Sequence, residues 1–520
     1  MRRFASQTRL QWAVTGDTVI SRFMVYRVGG VMNVFRIVMA SCAATAACSL
    51  AAIAGPWAQP GDAQLRSDID LLAGAGVIDN ITTHWPLPWA SLLDHTSPQA
   101  DLTTQPDYVR DAAARLHREG LAEAQLHLPR LTMTLDAASN PDFVRGFDAL
   151  GRQTLETQVA AEYSWTTTAV HIALGARTTA KGDRQILVPD GSYIAQRIDD
   201  VVVYAGYLDH WWGPGWISAM ALSTNARPLP QIGIARAGTE PFESSWLSWI
   251  GPWHMEFFVG DMDDKRLAKD TIYSGLRFAF SPLPHLEIGA SRTDEMCGHG
   301  HQCKPFKGYF DFANQDNDVN IVNDEGAFDI RYSNTLGTWA YEIYAQAMNE
   351  DSNPIVHSGS SHQVGGSVWL PLQGGTGRLT IEYTDSVATR DLWGGGSFHG
   401  FAYNNYDYKD GMRYRGRTLG FSLDSDSRLL SIQTSYTDAG ASRYTLTLHH
   451  AELSTPQNSW GNVVTTAPVI VNMAEARWSV PFESDSGRLR LDLEARVQDD
   501  QPRPARGALA TIEARVTAGL

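Results

Sequence analysis

The stretch R-L-R-L-D-L-E-A-R-V-Q, residues 488 to 498, decides the fold. Leu489, Leu491, Leu493, Ala495 and Val497 alternate with Arg488, Arg490, Asp492, Glu494, Arg496 and Gln498. A period of two is the signature of a β-strand. One face of this strand is wholly apolar and the other almost wholly charged. The same alternation runs through Val170 to Arg177, Leu379 to Thr384 and Ile512 to Leu520. A soluble sheet also alternates, but here the pattern continues from about residue 126 to 520. Strands of about ten residues match a tilted crossing of a hydrocarbon layer.

The connections support a closed, membrane-spanning sheet. Short turns are read at 281–284, 333–337, 372–375, 424–427 and 483–487, and longer segments at 294–324, 350–361, 388–411 and 454–468. Short turns at one rim and long loops at the other are the outer-membrane arrangement. The fold class is therefore all-β with a small α part: a transmembrane antiparallel β-barrel of about 18 strands with an N-terminal helical bundle. The charged face suits an internal mesh of ion pairs, but the sequence does not say whether the lumen is open.

Working outward to the N-terminus, residues 59–125 read as helical. Leu65, Ile69 and Leu72 share one face, with Asp62 as N-cap. Val109, Ala113 and Leu116 repeat the pattern after Pro106, and Pro86 and Pro88 force an extended link between the two helices. So small a helical part buries too little to stand alone and is expected to pack on something else. Before it, Ile37 to Ala54 is an Ala-rich apolar run flanked by Arg36. It predicts a secretory signal peptide within residues 1–58, with Met32 a plausible true start. It is short for a membrane anchor. The expected parts are thus 1–58 signal, 59–125 periplasmic helices and 126–520 barrel.

The 520 residues carry a formal charge of -15. Residues 1–58 hold six Arg and one Asp, so the remainder is near -20. A chain that acidic, without basic runs, argues against a nucleic-acid partner. Export makes the cysteines readable. Cys42 and Cys48 leave with the leader, and Cys297 and Cys303, in C-G-H-G-H-Q-C, are expected to form a disulfide. A metal reading through His299 and His301 is weaker, because thiolate ligands fare badly in an oxidising compartment. The acidic group Asp311, Asp316, Asp318, Asp324 and Glu325 lacks the spacing of a calcium loop. No metal and no cofactor is expected.

No G-x-S-x-G, H-E-x-x-H or phosphate-loop motif occurs, so no catalytic residue is assigned. Aromatic clusters are the stronger signal. His210 to Trp216 places three Trp around a Pro-Gly turn, and Trp246, Trp249 and Trp253 suit an interfacial girdle. The loop 393–408 is the richest, and two Arg follow it. Trp393, Phe398, Tyr403, Asn404, Tyr406, Tyr408, Arg413 and Arg415 are the candidate carbohydrate-binding residues. Aromatic faces stack on sugar rings while Asn and Arg bond hydroxyls and carboxylates. For this loop, glycan contact and plain loop packing remain equally open.

Several stretches resemble the Wzi-type capsule assembly family. They are L-R-S-D-I-D-L-L-A-G-A-G-V-I from Leu65, W-P-L-P-W from Trp85, D-H-W-W-G-P-G-W from Asp209 and S-T-N-A-R-P-L-P from Ser223. E-P-F-E-S-S-W-L-S-W-I-G-P-W from Glu240, L-E-I-G-A-S-R-T from Leu286, the Cys297/Cys303 loop and Y-R-G-R-T-L-G from Tyr414 follow in order. The resemblance implies an 18-stranded outer-membrane barrel with a periplasmic helical bundle, and a non-enzymatic, lectin-like role. Its implied partner is capsular or related exopolysaccharide at the Gram-negative cell surface, with outer-membrane lipid around a monomer. An outer-membrane porin or transport channel is the alternative, and an outer-membrane hydrolase a weaker one.

Overall fold

The alternation at 488–498 lies on one strand of a closed barrel. The computed structural model describes residues 55–93, 96, 102–123, 125–303, 322–350, 359–391, 394–454, 461–484, 487–502 and 508–519. Most of the leader, Trp393 and Asp311, Asp316 and Asp318 lie outside these. The wall has 18 antiparallel strands. They are β1 Arg130–Ala138, β2 Leu155–Ser164, β3 Thr168–Arg177, β4 Tyr193–Ile198, β5 Val201–Gly206 and β6 Gln231–Arg236. Next come β7 Trp253–Asp261, β8 Thr271–Leu283, β9 Leu286–Cys297, β10 Asn323–Leu336, β11 Trp339–Glu350 and β12 Ser360–Leu372. The last six are β13 Gly375–Asp391, β14 Arg428–Asp438, β15 Arg443–Leu453, β16 Val469–Ser484, β17 Gly487–Gln501 and β18 Ala508–Gly519. β18 pairs with β1, from Glu513–Ala138 to Gly519–Thr132, and closes the sheet.

The two faces separate as their chemistry requires. On β17, Leu489 and Val497 are exposed on the outer wall, while Glu494 and Arg496 are buried inside. Ile172, Leu174, Ile343, Leu446 and Leu448 extend the outer apolar belt. Tyr436, Tyr444 and Trp478 stack in series on that face near the short-turn rim, as aromatic girdles do. Trp246 and Trp249 are exposed in the 237–252 segment at the same rim. The inner face carries the ion-pair mesh: Arg277 meets Asp329 at 2.7 Å and Arg331 meets Glu342 at 2.7 Å. Among the described residues no helix is long and apolar enough to cross a membrane.

The lumen is filled from both ends. From the short-turn rim comes helix α1, Ala63–Gly74, followed by α2, Trp89–Leu93, and α3, Asp107–Glu123. Asp62 caps α1 by accepting from the amides of Gln64 and Leu65 at 2.7 and 2.9 Å. α1 packs on α3 and also against β10 and β11, so it does not stand clear of the barrel. Its Arg66 reaches the loop between β5 and β6, donating to the carbonyls of Pro214 and Gly215 at 2.6 and 2.8 Å. The same guanidinium lies over the Trp216 and Phe147 rings. The extended link then pairs His84–Trp85 with Trp211–Trp212 in an antiparallel bridge.

From the outer rim, segments 139–154, 207–230 and 400–427 fold inward. One expected turn is corrected here: Asp424 to Ser427 is not a hairpin but part of the buried β13–β14 connection. The true turn lies between Asp438 and Arg443. Asp and Ser favour hairpins because they bond nearby backbone, and that same habit serves a tight buried loop. Here Ser427 N–H donates to Ser386 Oγ, and Asn462 Nδ2 donates to the carbonyls of Leu423 and Ser425.

Candidate functional site

With the lumen filled, the outer rim is the face left for an extracellular ligand. Three loops join there: 262–270, 297–303 and 400–411. Asn405 Oδ1 accepts from the amides of Asp407 and Tyr408 at 2.9 and 3.0 Å. This side-chain turn presents Tyr406 at its tip, 76% exposed. Gly411, at φ 64°, closes the loop where a Cβ would meet the Tyr403 carbonyl at 2.0 Å. Tyr408 points inward instead. Its hydroxyl donates to the Cys297 carbonyl at 2.9 Å, and its ring stacks on His301 at 4.3 Å. Cys297 and Cys303 are disulfide-bonded, so a covalently closed turn anchors the aromatic loop. The Leu267 amide donates to Asp410 at 2.6 Å and ties in the third loop.

The candidate sugar contacts divide under this geometry. Phe398 and Tyr406 present accessible rings, Phe398 leaning on Phe401 at 4.4 Å. Tyr403 is fully buried; its hydroxyl donates to the Met220 carbonyl at 2.8 Å and accepts from the Phe421 amide at 3.0 Å. Arg413 is buried against Asp424 at 2.7 Å and Asn404 Oδ1 at 2.9 Å. Arg415 is held by Asp263 at 2.7 Å. Tyr403, Asn404, Tyr408, Arg413 and Arg415 therefore hold the loop, and none offers a free stacking face or fork in this conformation. Of the acidic group, Asp324 is bonded by Arg292 and Glu325 is buried in the wall.

Sequence spacing gave no hint of two interior constellations. Glu256 on β7 accepts from Tyr204 Oη at 2.7 Å and lies 3.1 and 3.2 Å from Nε2 of His210 and His84. One wall carboxylate thus ties together the N-terminal link and the inward loop, whose motifs are 125 residues apart in the chain (roughly; only assembly in the barrel reveals the pairing). Burial holds the His84 imidazole well below its ordinary value, His254 adds to this, and Glu256 opposes it. The second constellation is Ser431, His449 and Glu475 on β14, β15 and β16, with Ser431 Oγ 2.7 Å from His449 Nδ1 and His449 Nε2 3.6 Å from Glu475. The residue types suit nucleophilic catalysis. The adjoining cavity, however, is about 30 Å³, room for a water and not for a sugar. Asp142, Glu475 and Glu494 cluster beside it, already met by Arg496 and Arg477.

The profile of the capsule assembly protein Wzi family matches residues 131–506. The chain belongs to the Wzi capsule assembly family. It is 26% identical over 309 residues to an uncharacterized 55.8 kDa protein in the cps region of Klebsiella pneumoniae. That match covers 57% of this chain and 59% of the relative, so the chain spans about three fifths of that protein's length. Among solved structures it is similar to Wzi of Escherichia coli, an outer membrane protein involved in group 1 capsule assembly and described as a carbohydrate-binding β-barrel. The TM-score is 0.73 at 20% identity, covering 89% of this chain and 99% of that one. At that identity the likeness concerns the fold, and the Wzi-family barrel agrees with the 18-strand wall described above.

Proposed function

We propose that this Wzi-family protein is a lectin-like outer-membrane barrel that binds and anchors capsular or related exopolysaccharide at the cell surface. The observation that carries the reading is the filled lumen beneath an outer cap pinned by Cys297–Cys303 and presenting Tyr406 and Phe398. A porin or transport channel needs a wet lumen. Here Trp211, Trp212 and Trp216 occupy it, fully buried between α1 and the wall. In this reading the role is non-enzymatic, and the small cavity of about 30 Å³ beside Ser431, His449 and Glu475 supports it. Family membership and the carbohydrate binding ascribed to Escherichia coli Wzi support the same reading. The apolar belt takes outer-membrane lipid around a monomer, and residues 59–125 serve as a periplasmic stopper for the barrel of 126–520. Tyr406 and Phe398 stack on sugar rings, and weak contacts along a repeating polymer add through multivalency.

The test compares cell-bound with medium-released polysaccharide in cells lacking the protein. Normal synthesis with polymer shed into the medium is expected. Unchanged retention sinks the anchoring role, and a steady open conductance of the purified protein in planar bilayers establishes the channel instead.

A further inference from the structure

β13 outruns its neighbours at the outer rim. Its pairing with β14 stops at Asp385–Arg428 and with β12 at Thr389–Ser360. Its last residues pair instead with a short strand, Gly394–Phe398, which sets Ala388 opposite Phe398 and Thr389 opposite Ser397. This ladder carries an aromatic platform. Phe398 lies against Phe401, and both pack over Gly359, where a Cβ would come within 2.6 Å of the Phe401 ring and 3.0 Å of Phe398. Arg390, exposed on the same ladder, holds its guanidinium carbon 5.7 Å from the Phe398 ring centre. Arg236, by contrast, covers the Trp253 ring from 4.1 Å. The longer distance leaves part of Phe398 open to solvent. Arg390 makes no hydrogen bond or ion pair with any described residue.

The charges around it are disposed differently. Asp426, at the foot of the ladder, is met by His399 at 3.3 Å and by the Gly400 amide at 2.9 Å. Arg413 and Arg415 are held by Asp424 and Asp263. A second feature of the same rim is its lysines. All six of the chain fall in outer connections: Lys181 after β3, Lys265 and Lys269 after β7, Lys304 and Lys307 after β9, and Lys409 after β13. Lys181, Lys265, Lys269 and Lys409 are exposed and meet no carboxylate among the described residues. Beside them Asp263 is bonded by Arg415 and Asp410 by the Leu267 amide, while Asp407 is exposed. The wall and the helices hold no lysine and are cross-linked through arginine and histidine. A pyranose lays its C–H face on an aromatic ring, and the carboxylate of a uronate projects from the edge of that pyranose. A guanidinium standing just off the same aromatic receives it as a fork. A neutral sugar fills the platform and leaves Arg390 in water.

We propose that Arg390 is a specificity-determining residue that selects a carboxylate-bearing sugar, of uronate type, stacked on Phe398. This rests on the polysaccharide reading above and names the class of polymer it takes. The test uses exopolysaccharide from the cells that make this protein, native and after chemical reduction of its carboxylates to neutral alcohols. Binding of both forms to the full-length protein in detergent is measured by calorimetry at matched ionic strength. The wild type should bind the native polymer about fivefold more tightly than the reduced one, the upper range for an exposed ion pair. Arg390→Gln should bind the native polymer no more tightly than the reduced one. Phe398→Ala should weaken both forms alike, because the ring serves either sugar. Arg390 supports nothing else in the fold, so its variant should keep the wild-type heat-modifiable electrophoretic band. Equal binding of the two forms by the wild type, or a preference that survives Arg390→Gln, overturns the role of Arg390 and leaves the polysaccharide reading standing. Binding of neither form overturns both.

Discussion

Two aromatic loops start from the same rim and end differently. Segment 207–230 turns inward, and its Trp211, Trp212 and Trp216 are buried completely. Segment 394–411 buries Tyr403 and Tyr408 but leaves Tyr406 and Phe398 in the open. The wall explains the difference. Glu382 accepts from the Trp216 amide at 2.7 Å, Glu342 accepts from its indole N–H at 2.9 Å, and Gln346 Oε1 accepts from the Met220 amide at 3.0 Å. The inward loop finds carboxylate or amide acceptors on the wall for the Trp216 and Met220 amides and for the Trp216 indole. At the tip of the outer loop, Asn405 satisfies the backbone locally, and Tyr406 is exposed. Aromatic content therefore says little about which way a loop faces; the placement of acceptors does.

The largest test of this contrast is Glu256→Ala. It strips His84, His210 and Tyr204 of their common acceptor in the lumen, and should cost about 3–5 kcal/mol. The temperature at which the folded electrophoretic band disappears would show it; a shift no larger than that of a surface mutant would break the distinction between the loops. Acidity acts on the same lock. His84 is neutral in the folded state, with its pKa below the unfolded value of about 6.5. The unfolded chain then binds more protons, so this contribution is full above about pH 6.5 and is lost as pH falls below it. Hydrogen exchange at pH 5 should open 82–88 and 207–216 more than at pH 7.5; equal protection at the two pH values would contradict this.

Smaller effects belong to the outer loop. Replacing Cys297 and Cys303 by Ser removes a short closed turn, worth about 2 kcal/mol at most on loop-closure grounds. Proteolysis should then speed up within 400–411 while the barrel stays folded. Tyr406→Ala is the mildest change to the fold, within about 0.5 kcal/mol. It should nonetheless weaken polymer binding about fivefold, the worth of one stacked ring near 1 kcal/mol. Binding that survives the joint loss of Tyr406 and Phe398 would move the sugar contact to another part of the rim.

How far the chain could be read depends on how local each signal is. The alternation at 488–498 needs only the next residue to define a face, and both faces are where the pattern puts them. Asp62 caps α1 because a carboxylate two residues before Gln64 lies within reach of the first free amides. Asp424 to Ser427 has the composition of a turn yet lies in a buried loop, because hairpins and buried loops ask the same local chemistry of Asp and Ser. Tyr403 stands among sugar-binding residue types in the sequence, yet its environment is set by Met220 and Phe421. Gly420 shows the same dependence: a Cβ there would meet the Met220 carbonyl at 1.9 Å, a clash that only the meeting of two inward loops creates.

By itself, then, the sequence determined the membrane-spanning barrel, the helices before it with the Asp62 cap of the first, and the cysteine pair, since each follows from periodicity or spacing over a few residues. The tertiary structure alone decided that the lumen is filled, that Glu256 ties His84 to His210, and that Tyr406 rather than Tyr403 meets the outside. Those outcomes depend on which buried donor finds which acceptor across the barrel, a pairing between residues far apart in the chain that no local pattern encodes.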